Sequence, residues 1–444
     1  MKTFKIGGVH PEENKFSAGK TIITTPLPKQ AIIPVAAYLG APSVPIVAKG
    51  DMVKVGQLIG QSGGFISSNV HSSVSGKVAK IEDSLDASGY KRSSIFIDVD
   101  GDEWLENIDR SPELVRECHL SPEEIIKKIA DAGIVGLGGA TFPAHVKLSP
   151  PPGKTAEVLI INAVECEPYL TCDHELMLEK PNEILVGVTI LMKALKINRA
   201  IIGIENNKKD AIELFKKQIK SLNIQGVEIV DLKVQYPQGG EKQLIDAAIG
   251  RQVPSGALPI EVGAVVMNVA TTFAVYEAVQ KNKPLIDRVV TITGKSVKTP
   301  GNFLVRLGTP LANVVEQAGR MPEDTGKIVA GGPMMGRAVV SLDIPTAKGS
   351  AGVLFMTEKE AHRMQIRNCI RCAKCVNGCP MGLNPTELMN FTEYEVWDKA
   401  EKCAITDCIE CGSCSYICPA YRPLLDYIRL GKGKVMTIIR GRNK

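Results

Sequence analysis

The sequence has no apolar stretch long enough to cross a membrane. Its longest apolar runs, residues 186–195 and 264–269, fall well short of the roughly 20 residues that a bilayer core requires. The first 15 residues hold one short apolar patch followed by acids, which is not the pattern of a signal peptide. We therefore expect the chain to remain in the cytosol.

Aromatic residues are also scarce. They make up 5% of the 444 residues, too few for the extended stacking surface that binds single-stranded nucleic acid. The formal net charge of +5 is small for this length and does not require a polyanionic partner. We expect no nucleic-acid partner, and the length predicts several domains.

What the sequence does contain is cysteine, and its clustering indicates metal. Eight of the twelve cysteines form two runs of the form C-x2-C-x2-C-x3-C-P, at residues 369–380 and 408–419. Three cysteines spaced in this way wrap a loop around an iron–sulfur cubane, and the fourth, before proline, reaches the other cluster. We assign Cys369, Cys372, Cys375 and Cys418 to a first cluster site, and Cys379, Cys408, Cys411 and Cys414 to a second.

The alternative to two [4Fe-4S] clusters is a pair of structural zinc sites. Zinc ligands usually come as two CxxC pairs set well apart, which a four-cysteine run written twice fits poorly. The other four cysteines lack such spacing and are predicted to be ordinary reduced thiols. Nearby apolar residues are expected to shield the clusters from water: Ile370, Val376, Met381, Ile409 and Ile417.

The chain divides into several predicted modules. Residues 1–100 contain short strands separated by glycine, proline and serine, which predicts a small β-sandwich. Within it, segments 49–60 and 70–78 look like the two halves of a biotinyl/lipoyl-type barrel in permuted order. No attachment lysine is marked, so we favour a structural module. In residues 115–283, apolar strands alternate with amphipathic helices, which predicts a largely parallel α/β domain.

Three smaller segments follow. Residues 284–350 predict a β-grasp unit, with strands at 288–293, 303–307 and 327–330 and a helix at 310–318. Residues 360–425 hold the cysteine runs. Residues 426–444 are predicted to be a basic tail, with cations at Arg429, Lys432, Lys434, Arg440, Arg442 and Lys444.

A glycine-rich segment, residues 136–147, lies in the predicted α/β domain. Glycines allow backbone N–H groups to approach a phosphate or a ring, and a helix N-terminus behind them favours anions. Taken alone, the segment is better explained as a structural tight turn. Residues 161–169 place two glutamates at the carboxyl end of a predicted strand, where open α/β sheets bind ligands, and form either a solvated loop or the polar wall of a pocket. Residues 236–242 repeat the pattern of an aromatic residue, glycines and an acid.

These three stretches are similar to the FMN- and NADH-binding subunit of respiratory complex I. With the order of the modules, they make residues 1–425 resemble the RnfC (RsxC) family, which belongs to the Rnf complex, the ion-translocating ferredoxin:NAD+ oxidoreductase of bacterial membranes. The resemblance implies a multidomain α/β fold. Its parts would be an N-terminal β barrel-sandwich (lipoyl-like) module, a Rossmann-like FMN/NADH domain, a β-grasp (SLBB) domain and a C-terminal ferredoxin-like α-helical domain with two [4Fe-4S] clusters.

The resemblance also implies roles for twelve residues. Those expected to hold the FMN phosphate side are Gly136, Gly138, Gly139 and Lys147. Those expected to line the flavin and nicotinamide pocket, face the dinucleotide or close the site are Asn162, Glu165, Glu167, Phe142, Tyr236, Glu241, Asn268 and Thr271. There are two departures: Val164 stands where the complex I pattern has an aspartate, and residues 255–258 replace a Lys- and Phe-bearing loop that helps to grip NADH.

The implied cofactors are FMN and two [4Fe-4S] clusters, with NAD(H) as substrate. A flavin exchanges two electrons with a nicotinamide and single electrons with clusters, so we expect no catalytic side chain. The implied partners are the other membrane subunits of the Rnf complex and a ferredoxin-type carrier, at the cytoplasmic face of the inner membrane. Cations expected to steer an acidic partner are Arg363, Arg367, Arg371 and Lys374.

Two other functions remain open from the sequence. One is a soluble flavin and iron–sulfur subunit that serves a hydrogenase or a dehydrogenase. The other is a non-catalytic electron-wiring scaffold that has lost its flavin. The flavin content of the purified chain would separate the scaffold from the other two.

Overall fold

The computed structural model describes residues 1–442, so the predicted tail residue Lys444 lies outside it. The strands form sheets of six, four, four and three strands. Among residues 1–442, no helix is both long and apolar enough to span a bilayer.

The first module is a pair of small antiparallel sheets. Its region contains β1 (Ile23–Thr24), β2 (Gln30–Pro34), β3 (Val44–Pro45), β4 (Met52–Val53), β5 (Leu58–Gln61), β6 (Val70–His71), β7 (Gly76–Leu85) and β8 (Lys91–Val99). One sheet has the order β2-β8-β7-β4 and the other β3-β5-β6. Alternate residues face the core between them, such as Ile33 of β2 and Ile95 and Ile97 of β8. The predicted barrel-sandwich is confirmed.

The second module is a four-stranded parallel sheet covered by helices on both faces. Its elements are α1 (Pro122–Asp131), α2 (Ala144–Lys147), β9 (Val158–Asn162), α3 (Cys172–Glu179), α4 (Pro181–Leu195), β10 (Ala200–Glu205), α5 (Lys209–Ser221), β11 (Val227–Leu232), α6 (Glu241–Ile249), β12 (Ala264–Asn268) and α7 (Val269–Lys281). Strands β9, β10 and β12 are largely apolar because both faces of the sheet are buried, by α1, α4, α5 and α7 on one side and by α6 on the other. The edge strand β11 instead carries Glu228 and Asp231.

The order of this sheet creates a crevice. The strands run β11-β10-β9-β12, so the chain moves outward from β9 to β11 and then returns to the other side of β9. Ligands of open α/β sheets bind beyond the carboxyl ends of the strands at such a reversal. The reversal here lies between the ends of β9 and β12, at Asn162 and Asn268.

The third module is a mixed sheet packed against one helix. It contains β13 (Asp287–Thr293), β14 (Gly301–Arg306), α8 (Leu311–Gln317), β15 (Thr325–Ala330), β16 (Arg337–Val339) and β17 (Gly352–Thr357). Val314 and Val315 of α8 pack on Val290 and Ile292 of the sheet. The predicted β-grasp strands and helix are present within three residues of their expected ends, as is usual for element boundaries.

The first 24 residues lie outside the barrel-sandwich core and contact the other modules. Strand β1 pairs with β14 of the β-grasp sheet. Val9 exchanges two backbone hydrogen bonds with Tyr236 (2.8 and 2.9 Å). Lys15 donates its Nζ hydrogens to the carbonyls of Glu165, Glu167 and Leu170 (2.7–3.0 Å). This N-terminal segment thus fastens the α/β module to its neighbours.

The last module is helical and holds both cysteine runs. Its helices are α9 (Glu358–Ala361), α10 (Lys374–Asn377), α11 (Pro385–Glu393), α12 (Trp397–Lys402), α13 (Ser413–Tyr416) and α14 (Leu424–Arg442). Helix α14 corrects the prediction of a separate basic tail, because Leu424, Ile428 and Val435 are buried in the core that contains α11. Arg429 and Lys432 form ion pairs of 3.2 and 3.1 Å with the same acid, Glu410.

Candidate functional site

Four cysteines border one apolar cavity in the helical module. They are the fourth cysteine of the first run and the first three of the second: Cys379, Cys408, Cys411 and Cys414. The rest of the wall is mostly apolar, with Met381, Leu388, Ile409 and Ile428 among its residues. The fold therefore brings together the four residues that the spacing assigns to the second cluster site.

The chemistry of this cavity fits an iron–sulfur cluster. Burial raises the pKa of Cys408 to about 11 and that of Cys414 to about 12, so these thiols are protonated at neutral pH when no metal is bound. A thiolate is costly in such surroundings unless a cation compensates its charge. Iron supplies that compensation, and four cysteine sulfurs are the donor set of a [4Fe-4S] cubane.

The residues assigned to the first cluster site lie at the surface. Cys369 and Cys372 are exposed, whereas Cys375 and Cys418 are half-buried. The N–H of Arg367 donates to the carbonyl of Ala420 (3.0 Å), which joins the start of the first run to the end of the second. Ile370 is 69% exposed, so the prediction that it shields a cluster needs correction.

The glycine loop lies against the N-terminus of α7. The N–H of Leu137 donates to Oγ1 of Thr271 (2.8 Å), and a Cβ added to Gly138 would lie 3.2 Å from the Cβ of Asn268. Gly139 has a φ of +119° and, apart from its chain neighbours, no described atom within 4 Å of a Cβ placed there. Helix α2 has only four residues, so α7 rather than α2 supplies the helix N-terminus behind the loop.

Three more predicted residues lie at the crevice. Lys147 donates from Nζ to the carbonyl of Val266 in β12 (3.1 Å) and pairs with Glu241, the first residue of α6. Asn162, the last residue of β9, donates from Nδ2 to the carbonyl of Gly239 (2.8 Å). A lysine, free glycine backbone and open space at a strand crevice fit a phosphate-bearing flavin.

An acidic network lies behind the crevice. Asn268 caps α7 with Oδ1 and donates from Nδ2 to Asp173 (2.7 Å), whose N–H donates to Glu165 (2.7 Å). Burial, and then the charge of Glu165, raises the pKa of Asp173 to about 6. Sequence reasoning did not find Asp173, because an acid in the first turn of a helix is ordinary in a sequence.

The β-grasp module also reaches the glycine loop. Arg288 of β13 is buried and donates from Nη2 to the carbonyl of Leu137 (2.6 Å) and from Nη1 to that of Lys348 (3.0 Å). Lys348 in turn donates to the carbonyls of Gly133 and Asn69 (both 2.7 Å). These bonds hold three modules in one arrangement around the loop, and no sequence motif marked them.

Two predicted flavin residues instead contact other modules, Tyr236 the helical module and Glu167 the β-grasp module. Tyr236 is 2% exposed, and its hydroxyl group donates to the carbonyl of Cys411 (2.8 Å). Glu167 accepts hydrogen bonds from the N–H groups of Met334 and Met335 (3.2 and 2.7 Å), and burial raises its pKa to about 7. Tyr236 therefore joins the α/β module to the second cluster site, a contact that the sequence did not predict.

Two predicted positions remain: Phe142 and the loop at residues 255–258. Phe142 belongs to the glycine loop, and its carbonyl accepts from the N–H of Gly136 (2.8 Å). The substituted loop at residues 255–258 contacts the helical module, because Gly256 N–H donates to Asp407 (3.1 Å).

Four family models match the chain in the order of its modules. The RnfC barrel sandwich hybrid domain matches residues 2–102, and the Nuo51 FMN-binding domain matches residues 129–277. The SLBB domain matches residues 289–338, and the 4Fe-4S dicluster domain matches residues 362–419. The expected cofactor classes, FMN and two [4Fe-4S] clusters, are those of the matching models.

Relatives match over nearly the whole chain. The C subunit of the proton-translocating ferredoxin:NAD(+) oxidoreductase complex of Clostridium ljungdahlii is 46% identical over 437 residues, 98% of this chain and 94% of the relative. Its counterpart in the Na(+)-translocating complex of Acetobacterium woodii is 44% identical over 440 residues, 98% of this chain and 97% of the relative. The counterpart in the ion-translocating oxidoreductase complex of Rhodobacter capsulatus is 39% identical, over 98% of this chain and 84% of the relative.

The fold, the cysteine sites and these matches define a flavin and iron–sulfur electron-transfer protein. A chain of an NAD+-reducing [NiFe]-hydrogenase has the same fold over 71% of this chain and 63% of its own length, with a TM-score of 0.51 and 20% identity. The chain belongs to the RnfC family, the C subunits of ion-translocating ferredoxin:NAD+ oxidoreductase complexes. The resemblance predicted from the sequence is confirmed.

Proposed function

We propose that the chain is the peripheral subunit of a membrane-bound ion-translocating complex and exchanges electrons between NAD(H) and a ferredoxin-type carrier through FMN and two [4Fe-4S] clusters. The observation that carries this proposal is the contact between Tyr236 of the α/β module and Cys411 of the second cluster site. It brings the candidate flavin module directly against a candidate cluster.

A bound FMN exchanges two electrons with a nicotinamide and one at a time with clusters. The residues of this chain provide positioning. The backbone of Gly138 and Gly139, with Lys147, would hold the phosphate side, and Asn162 and Asn268 would border the ring. The predicted roles of Glu165, Glu241 and Thr271 are consistent with their contacts at the same crevice.

The two cluster sites then act in series. The second site is covered by the α/β module, because Gln243 of α6 donates to the carbonyl of Pro380 (3.0 Å) and Tyr236 donates to Cys411. The first site has Cys369 and Cys372 at the surface. With FMN and both clusters bound, electrons from the flavin would therefore enter through the second site, held by Cys379, Cys408, Cys411 and Cys414, and would leave through the first.

The surface of the first site favours an acidic partner. Arg363, Arg367, Arg371 and Lys374 are all exposed around it. Such a patch speeds the approach of an acidic electron carrier, either a ferredoxin or a neighbouring subunit that takes its place. We infer that the other subunits hold the chain at the cytoplasmic face of the membrane, with this patch toward the partner.

The other functions considered from the sequence have weaker support. The hydrogenase chain shares only the fold at 20% identity, whereas relatives at 39–46% identity are subunits of ion-translocating complexes. A flavin-free scaffold would not need the open space at Gly139 and the neighbouring lysine.

Anaerobic purification followed by rapid mixing with NADH tests the proposal. The chain should contain FMN, with about eight iron and eight sulfide per molecule for two [4Fe-4S] clusters. On mixing, the flavin absorption should bleach first and the cluster absorption afterwards. Cluster reduction in a sample without flavin, or zinc in place of iron, would contradict the proposal.

A further inference from the structure

The barrel-sandwich module presents three large apolar side chains beside the glycine loop. Leu39, Phe65 and Ile66 are 53%, 64% and 46% exposed. They lie in two loops of the module, at residues 38–43 and 62–68. We call these three residues the apolar rim. Grouped apolar side chains on a surface often mark a binding site.

The apolar rim is attached to the glycine loop itself. The N–H of Leu39 donates to the carbonyl of Thr141 (3.2 Å). The carbonyl of Phe65 accepts from Nε2 of His145 (2.9 Å), and the two rings meet edge to face with centroids 5.8 Å apart. Phe142 lies in the chain between these two attachment points, so the rim borders the mouth of the candidate nucleotide site.

The two rim loops are also fixed to each other. Ala41 N–H donates to the carbonyl of Ile66 (2.8 Å), and Ser67 Oγ donates to the carbonyl of Ala41 (2.8 Å). A Cβ on Gly40 would collide with the Ile66 carbonyl, so the loops approach as closely as glycine allows. The exposed side chains thus stand on a pre-organised backbone, which lowers the entropic cost of binding.

We propose that the apolar rim binds the adenine ring of NAD(H), with Phe65 as the stacking residue. Every nucleobase has a face that stacks on an aromatic side chain, and the rim is attached on both sides of Phe142, the residue expected to face the dinucleotide. The loop at residues 255–258 is attached elsewhere, to Asp407 of the helical module through the N–H of Gly256. The inference rests on the proposed function, since it assigns one half of the same substrate.

The test separates the two halves of the dinucleotide. Binding of ADP-ribose, which carries the adenine, and of nicotinamide mononucleotide, which lacks it, is measured by calorimetry on the complete cofactor-loaded chain. Phe65→Ala should weaken ADP-ribose binding about five- to tenfold, the lower range for one stacked base. It should change binding of the mononucleotide less than twofold, and Phe65→Trp should restore ADP-ribose binding. Tyr90→Ala, at an equally exposed aromatic residue (63%) of the same module, is the matched control.

The outcomes distinguish this inference from the function on which it rests. If the unaltered chain binds both ligands and Phe65→Ala weakens neither, the inference alone is wrong. An equal loss for both ligands would also overturn it, because the substitution would then have disturbed the loop. Unchanged ADP-ribose binding with weaker retention of the other subunits would assign the rim to a protein partner. If the unaltered chain binds neither ligand, the proposed function fails as well.

Discussion

The two cysteine runs have the same spacing but opposite surroundings. In the first run, Cys369 and Cys372 are exposed. In the second, Cys411 and Cys414 are buried at 7% and 8% exposure, and Cys379 joins them at 8%. The spacing therefore determines that two cubanes can form, but it does not determine how far each one lies from water.

The difference arises from neighbours outside the helical module. A small apolar cluster joins Val9 of the N-terminal segment, Tyr236 and Cys411. A Cβ on Gly412 would lie 2.8 Å from the carbonyl of Met334 in the β-grasp module. Solvent exposure and hydrogen bonding near the sulfurs tune the potential of a cluster. The comparison teaches that contacts between modules, not the motif, cover the second site (the inner site) and leave the first at the surface (the outer site).

Removing one ligand from each site is expected to give the largest effect. Cys411→Ala and Cys372→Ala should each reduce the iron content from about eight to about four per chain. In the Cys372 variant, NADH should still reduce the remaining inner cluster quickly. In the Cys411 variant, the outer cluster should remain oxidised on the same timescale, because its relay is missing.

Freeze-quench electron paramagnetic resonance after mixing with NADH measures this difference. Dithionite, a chemical reductant that does not depend on NADH or the flavin, serves as the control that the remaining cluster is intact in each variant. Equal reduction by NADH in both variants would refute the order of the two sites.

The charges around the outer site should give an intermediate effect. Replacing Arg363, Arg367, Arg371 and Lys374 with glutamine should slow electron transfer to an acidic ferredoxin about tenfold at low salt, because electrostatic steering is lost. The matched control replaces four exposed lysines of the barrel-sandwich module: Lys29, Lys49, Lys77 and Lys91. The measurement is the second-order rate constant as a function of ionic strength. If both variants show the same salt dependence, the outer site is not the docking surface.

The sequence predicts the parts of the molecule whose signals are local. Ser121 followed three residues later by Glu124 is the pattern of a capping box. The structure has it at the start of α1, with Ser121 Oγ accepting from Glu124 N–H and Glu124 accepting from Ser121 N–H. The barrel-sandwich, the β-grasp unit and the grouping of Cys379 with the second run also follow from periodicity and spacing. Such features depend on residues close together in the chain, or on a motif whose spacing allows only one arrangement of its ligands.

Contacts between distant segments could not be predicted in the same way. Tyr236 and Cys411 are 175 residues apart, and either could have other partners. Arg288 resembles any strand cation until the fold places it 2.6 Å from Leu137 of the glycine loop. The composition of residues 426–444, with six cations, predicts a basic tail, whereas the structure has Leu424 and Ile428 four residues apart on one buried face of α14.

The smallest predicted effect tests the hydrogen bond from Tyr236 to Cys411, which the inner site has and the outer site lacks. Tyr236→Phe removes one hydroxyl group and leaves the Cys411 carbonyl without its 2.8 Å partner. A net loss of about 1 kcal/mol is expected for a hydrogen bond of this kind. Thermal unfolding of the cluster-loaded chain, followed by the loss of cluster absorption, should therefore begin at a lower temperature. Tyr416→Phe, at a 53% exposed position in the second run, is the control and should leave the transition unchanged. Tyr236 contacts the inner site, so the signal of the inner cluster should be lost at a lower temperature than that of the outer cluster. Simultaneous loss of both signals would show that the two sites unfold as one unit.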